Sequence, residues 1–419
     1  MAIEIRGIRD EEVAGYLDSV TTGFLERPDL EKLAAEVRPH WDLARTWAAV
    51  DDGRIVGTTR TWPTELTLPG NRQIKAAAVS AVTVRPTHRR RGLLRQMIAA
   101  EHAAARERGE PVSLLYASEY PIYGRFGYGT AIQTAGWTLD ARATSFHETA
   151  GGTSGTIDSM PIDEAALDTA RTVFEAWRLV QPGEIWRRPI MWKSDFGMAG
   201  AAGDGWKGFL VVHRDDAGTI DGYARYHADL KWEHRQARST LLVDEMHGLT
   251  TEAQVALWRF LASVDLVTTV KIERRHPADR LPWLLTNGRA AEPFDTGDGV
   301  WVRLHDIPAA LEARAWERCG SLVIEAIRRD ADDAGDDGST EPRVRVALDV
   351  SPDGGRAVAT DRPPDLTIDA AALGAAYLGG TRLRDAVLAR GWDEHQTGAL
   401  AEADALFATR DAPWCSTFF

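Results

Sequence analysis

The chain has 419 residues, enough for about three domains of ordinary size, and its 49 basic against 62 acidic side chains give a formal charge of −13 that opposes binding to nucleic-acid phosphates. Two cysteines, Cys319 and Cys415, cannot build a disulfide framework, and no CxxC or HExxH spacing offers a metal site, so a reducing cytosol is expected. The first residues lack the basic-then-apolar order of a signal peptide, and no apolar run nears the roughly 18 residues that cross a bilayer, which argues for a cytoplasmic protein with no membrane partner.

From the N-terminus, Ile3 to Ile5 reads as a short strand, and Glu11 to Leu25 as a helix with Val13, Tyr16, Leu17 and Val20 at helical spacing. Thr46 to Val50, the turn Asp51-Asp52-Gly53 and Ile55 to Leu68 read as a hairpin. A second turn at Pro69 to Asn71 leads into Ile74 to Val84, small and apolar enough for the middle of a sheet. A basic loop, Pro86 to Arg91, precedes a helix from Gly92 to Arg108, which Gly109 closes. Val112 to Tyr116 is the next strand, followed by a Gly- and Tyr-rich turn and strand-like runs to Leu139.

Thr149 to Gly155 is small and polar and reads as a linker. Beyond it, a helix (Asp163 to Trp177), three strands (Gly208 to His213, Gly222 to His227, Ser239 to Glu245), a helix (Thr251 to Ala262) and a strand (Thr268 to Arg274) read as a looser copy of the first unit. Glu245 to Thr250 stands where the basic loop stood, so no phosphate-bearing cofactor is expected there. From Val300 the pattern turns to strands, interrupted by an acidic insertion at Asp330 to Asp337 that reads as a solvated loop. Pro363 to Asp369 then reads as a strand feeding a helix from Ala370 to Leu378, stopped by Gly379-Gly380.

Chemistry concentrates in Val82 to Leu94, where Arg89, Arg90, Arg91 and Gly92 lie between an apolar strand and an amphipathic helix. Backbone N–H groups at a helix start are unpaired and carry partial positive charge, and glycine lets an anion approach closely, so the loop suits a pyrophosphate. No Gly-Lys-Ser/Thr comes after it, which excludes a Walker loop.

The run from Val82 through Arg91-Gly92-Leu93-Leu94, then Ala117-Ser118-Glu119 and Ile122 to Gly129, resembles the Eis (enhanced intracellular survival) family of GNAT N-acetyltransferases. The resemblance extends to Pro308 to Arg314, Tyr377 to Gly380 and a phenylalanine at the extreme C-terminus. It implies an α+β chain of two tandem GNAT-like domains, mixed sheets flanked by helices, followed by a sterol-carrier-protein-like α+β domain. The expected bounds are 1–150 for an acetyltransferase domain with the acetyl-CoA site, 151–297 for a second domain without cofactor, and 298–419 for the last. It also implies a homohexamer.

By the same resemblance, the backbones of Val82 and Val84 pair with the pantetheine arm, Arg89, Arg90, Arg91, Gly92, Leu93 and Leu94 hold the pyrophosphate of acetyl-CoA, and Ser118 touches the cofactor. Amide formation from a thioester needs a neutral amine, stabilisation of an oxyanion and a proton for the departing thiolate. A phenol of pKa about 10 keeps its proton at neutral pH. On the residues alone Tyr120, Tyr123 and Tyr128 compete for that task; the resemblance selects Tyr123. Glu119 is expected to pair with a nearby arginine. The resemblance further implies that the terminal carboxylate of Phe419 folds back into the first domain to receive the amine proton. A free carboxylate of pKa about 3.5 is a weak base, so its part is expected to be positioning and charge.

For the acceptor the resemblance implies Phe24, Glu26, Trp41 and Phe418, and a polycationic amine of the aminoglycoside or polyamine type. Two departures, Phe418 where an acid is frequent and Ala81 where an aromatic is frequent, predict a less acidic pocket and a narrower range of amines. Two other readings are a protein lysine acetyltransferase and a non-catalytic scaffold holding an apolar ligand in the third domain. Neither cysteine sits beside a histidine in sequence, which leaves direct transfer favoured over an acyl-enzyme.

Overall fold

The computed structural model describes residues 3–148, 154–199, 205–328 and 343–419; the acidic insertion expected at Asp330 to Asp337 and most of the linker expected at Thr149 to Gly155 lie outside them. In chain order the first unit runs β1 (Glu4–Gly7), α1 (Val13–Gly23), α2 (Leu30–Val37), β2 (Thr46–Asp51), β3 (Arg54–Leu68), β4 (Arg72–Val84), α3 (Leu93–Glu107), β5 (Val112–Tyr116), α4 (Tyr120–Tyr123), β6 (Gly129–Thr130) and β7 (Gln133–Asp140). Helix α2 is an addition to the sequence reading; Asp29 starts it by accepting from the N–H groups of Glu31 and Lys32. Its apolar residues pack with α1 over Ala48 and Val50.

The first sheet has the order β1-β2-β3-β4-β5, antiparallel except for β4 and β5. That parallel pairing covers only Ala76↔Val112, Ala77↔Ser113 and Ala78↔Leu114, so the two strands part beyond Ala78 and Leu114. Just past that point β4 carries a bulge: Thr58 faces Thr83 and Arg60 faces Ser80, leaving one residue more on β4 than on β3. Ala81 sits in it with φ 53°. The bulge turns Thr83 toward α1, where it bonds the Ser19 carbonyl, and Val82 and Val84 toward the α3 side.

The second unit runs β8 (Thr156–Met160), α5 (Glu164–Arg178), α6 (Pro189–Asp195), β9 (Phe209–Arg214), β10 (Ile220–Asp229), β11 (Trp232–Glu233), β12 (Gln236–Ala237), β13 (Ser239–Gly248), α7 (Thr251–Ser263), β14 (Val267–Arg275), α8 (Leu281–Leu284), β15 (Ala291–Asp298) and β16 (Val300–Leu304). Its geometry repeats the first: β13 and β14 are parallel up to Val243↔Ile272, and β13 then carries a bulge opposite Arg225 and Tyr226.

Two strands pair outside the units to which the expected bounds at 150 and 298 assign them. β7, expected with the first unit, pairs with β14 and β15 in the second sheet, and β16, expected with the third, pairs with β5 and β6 in the first. Each unit thus covers the outer edge of the other's splayed strand. Alternating apolar residues fix which face of a strand is buried but not which edge it joins, so the sequence could not assign the exchange.

The third unit runs α9 (Ile307–Ala313), β17 (Gly320–Ile327), β18 (Arg343–Ser351), β19 (Gly354–Ala359), β20 (Leu366–Asp369), α10 (Ala370–Ala376), α11 (Leu383–Ala386), β21 (Trp392–Glu394) and α12 (Ala399–Phe407), with sheet order β19-β18-β17-β20-β21. The small residues of α10 let it press against β6 and β16; a Cβ at Gly129 would collide with the Ala371 carbonyl. Arg314 is buried and donates to the carbonyls of Tyr377 (2.7 Å) and Phe407 (3.2 Å), while the Tyr377 hydroxyl donates to Ala310 (2.7 Å), so the two C-terminal motifs read from the sequence hold one another.

Candidate functional site

The parting of β4 and β5 opens a cleft of about 700 Å³, lined by Phe24, Leu25, Val82, Val84, Arg89, Arg90, Gly92, Leu93, Leu94, Ser118, Glu119 and Tyr123 among others. Its base is pinned by Arg85, which is buried, donates to the Ile55 carbonyl (3.0 Å) and pairs with Asp18 of α1. Left-handed backbone at Arg90 (φ 64°) and Gly92 (φ 75°) bends the loop sharply into α3. Gly92 brings no capping side chain, so the first N–H groups of α3 keep their partial positive charge for a ligand. Arg89, Arg90 and Arg91 are exposed and have no acidic partner among the described residues. Arg91 points away from the cleft lining, donating to the Thr87 carbonyl (3.3 Å).

At the other end stands Tyr123, 4% exposed, packed with Val79, Ile98 and Leu115. Burial pushes its phenol up to about 12, against a hydrogen bond from Ser118 that favours the ionised form. Of the competitors, Tyr128 is fully buried against His102 (3.2 Å), and Tyr120 is exposed with its ring edge-on to Trp301 (5.0 Å). Glu119 is exposed and makes no ion pair among the described residues, so the expected arginine partner is not there.

The chain terminus reaches the opposite face of the same sheet. Glu184 accepts from the Ser416 N–H (2.7 Å) and hydroxyl (2.8 Å), Arg187 donates to the Thr417 hydroxyl (2.7 Å), and the Tyr116 hydroxyl donates to the Thr417 carbonyl (2.9 Å). Phe419 then lies half-buried between Tyr116 (5.1 Å) and Trp62 (5.6 Å), residues on β5 and β3 that flank Ala78, where the parallel pairing ends. Phe418 is 62% exposed, with its ring against Tyr116 (4.9 Å).

Trp41 belongs to this second face. Its ring stands edge-on to Tyr16 (5.3 Å) and under the guanidinium of Arg60 (4.5 Å). Glu26 is exposed and, among the described residues, held only by its backbone N–H donating to the Thr21 carbonyl (2.8 Å), and neither residue lines the cleft. The structure therefore brings Phe24, Val82, Val84, Arg89, Arg90, Gly92, Leu93, Leu94, Ser118 and Tyr123 into one cleft, and sets Trp41, Phe418 and Phe419 on the face behind it. Sequence reading missed Arg60, Trp62, Tyr116, Glu184, Arg187 and Arg188. A signal existed for two: Arg60 and Trp62 alternate along one face of a strand that is otherwise threonine-rich and central.

At the second sheet's corresponding gap Trp414 stands between the strands, and a cavity of about 510 Å³ remains beside it, lined by Met246, His247, Gly248, Gln254, Trp258 and Arg275 among others. The Trp414 indole donates to the Arg274 carbonyl (2.7 Å) and packs on Trp177 (4.9 Å), under the guanidinium of Arg275 (4.5 Å). Thr250 caps α7 by accepting from the Ala253 N–H (3.1 Å). Desolvation alone would raise the carboxyl of Glu245, but Arg187 and His247 hold it well below the usual range.

Comparison with known proteins agrees with this architecture. Residues 4–131 and 179–304 each match an Acetyltransferase (GNAT) domain, and residues 307–416 match a Sterol carrier protein domain. A Streptomyces griseus protein named "Uncharacterized N-acetyltransferase" is 40% identical over the full length of both chains. N-acetyltransferase Eis of Mycobacterium bovis is 35% identical over 87% of this chain and 85% of its own. The crystal structure of Eis1 from Mycobacterium abscessus superposes with a TM-score of 0.83 at 30% identity, covering 99% of this chain and 100% of that one. No helix among the described residues is long and apolar enough to cross a membrane.

Proposed function

The chain belongs to the Eis family of GNAT N-acetyltransferases, and from that premise we propose that its first cleft transfers acetyl from acetyl-CoA directly to a primary amine, with Tyr123 as proton donor. The observation that carries this reading is the pairing, in one cleft, of a cationic, uncapped helix start with a buried phenol held in its neutral form.

The residues present fit the cofactor: Arg89, Arg90 and the first turn of α3 would hold the pyrophosphate, with Arg91 adding charge from outside the lining, and the unpaired edge of β4 at Val82 and Val84 would take the pantetheine amides. Bound there, acetyl-CoA supplies a thioester carbonyl for the amine to attack and a thiolate to leave. Tyr123 keeps its proton throughout the neutral range and can give it to that thiolate, with Ser118 orienting the phenol. The Phe419 carboxylate, carried by the docked tail, would supply negative charge on the amine side of the sheet, where the proton lost by the attacking amine passes through water to solvent while Tyr123 is reprotonated from solvent. Because burial raises the phenol, the donor form persists through alkaline pH; turnover is expected to show no loss attributable to Tyr123 between pH 7 and 10. A fall centred near pH 10 that disappears in Tyr123→Phe would contradict this.

Assembly as a homohexamer and residence in the cytoplasm are part of the same reading, and light scattering of the purified protein tests the first. The family resemblance points to aminoglycosides or polyamines as acceptors. A thiol-release assay with acetyl-CoA against aminoglycosides, polyamines and lysine peptides tests the activity. Enzyme-dependent thiol release with at least one amine is expected; none with any, together with no saturable acetyl-CoA binding, would overturn it.

A further inference from the structure

Arg60 of β3 and Arg188, which precedes α6, converge on the face of the first sheet that receives the chain terminus. The Arg188 guanidinium stacks on Trp62 at 4.2 Å, and that of Arg60 lies 4.5 Å from Trp41 and 5.6 Å from Trp62. Neither makes an ion pair among the described residues, and the Phe419 carboxylate is not within ion-pair distance of either. The Nε of each is buried with no hydrogen-bond partner, as is the indole Nε1 of Trp62, which is 4% exposed. The two cations are close enough to oppose each other's charge, and burial depresses both.

Two guanidinium groups against one indole, each with its Nε unbonded and no carboxylate within ion-pair distance among the described residues, form an electrostatic deficit that an anion relieves. Arg60 is paired across the strands with Ser80, beside the Ala81 bulge, so this cluster borders the gap between β4 and β5 on the amine side. A polycationic acceptor would bring like charge against both arginines. We propose that Arg60 and Arg188, with Trp41 and Trp62, form a subsite for a carboxylate carried by the amine acceptor, so that the preferred substrates are aminocarboxylates. This rests on the proposed transfer of acetyl to an amine and, for this chain, takes the place of the polycationic acceptors that the family resemblance points to. A carboxylate matches the planar donor fork of arginine and carries a single charge, which suits a chain whose formal charge of −13 disfavours polyanions at long range.

The test compares Nα-acetyl-lysine with N-acetylcadaverine, which differ only by the carboxylate, in thiol release and in calorimetric binding to the coenzyme A complex. The acid is expected to be favoured by about 10- to 100-fold in kcat/KM and in affinity, the span of a charge-assisted hydrogen bond. That ratio should fall toward one in Arg188→Gln and in Arg60→Gln, and be largely restored in Arg60→Lys. If Arg60→Gln fails to fold, Arg188→Gln decides alone. Equal use of the two acceptors, preference for spermidine over both, or a ratio unchanged in the variants would overturn the subsite. Binding of the acid that depends on Arg188, without turnover of any amine, would support the subsite while refuting the transferase.

Discussion

Beyond Ala78 and Leu114 the first sheet opens between β4 and β5, and beyond Val243 and Ile272 the second opens between β13 and β14, each with a bulge on the longer strand. In the first, the next helix starts at an uncapped glycine among three exposed arginines, and a cleft of about 700 Å³ remains. In the second, Thr250 caps the helix, no run of arginines precedes it, and Trp414 stands in the gap beside a cavity of about 510 Å³. The fold supplies the splay in both cases; the two differ in the loop and helix start after the bulged strand, cationic and uncapped in the first and capped by Thr250 in the second. One tail links the two, since Trp414 lodges in the second opening and Phe419, five residues on, lies on the first sheet.

The largest effect expected from disturbing this arrangement comes from adding a few residues after Phe419. That moves the terminal carboxylate, and turnover should be abolished in the thiol-release assay while thermal stability is kept, because Trp414 stays docked. Full activity of the extended protein would remove the terminus from the mechanism. Next, Tyr123→Phe should lower turnover by about 10²–10⁴ with unchanged acetyl-CoA affinity by calorimetry; unchanged turnover would remove the phenol.

The second opening answers through stability. Trp414→Ala should cost about 3–5 kcal/mol in denaturant unfolding, as for other buried aromatic truncations, and a loss below about 1 kcal/mol would mean that the indole does not anchor the tail there. Thr250→Ala should cost about 1 kcal/mol, the usual worth of an N-cap, and leave acetyl-CoA binding as it was. A change in cofactor affinity there would erase the distinction between the two sites.

How much of the molecule the sequence revealed depends on how locally each feature is encoded. Val82 to Leu94 is one contiguous run, so strand, basic loop and helix start could be read together, and most of it lines the cleft. The face proposed for the acceptor is assembled from Trp41, Arg60, Trp62, Arg188 and the last residues, which no spacing rule relates. Trp41 and Phe419 came from family resemblance, whereas the arginines needed the fold. The exchange of β7 and β16 was illegible for a different reason, since either sheet edge accepts the same alternating pattern. Helix α2 was passed over because its eight residues are short for a helical period to declare itself.

The most direct measurement is the stoichiometry of acetyl-CoA by titration calorimetry, on the wild-type chain and on a variant with Arg89, Arg90 and Arg91 replaced by glutamine. One molecule per chain, with binding lost in the variant, is the expected result. Two per chain, or one that survives the substitutions, would contradict the assignment of the open cleft as the cofactor site.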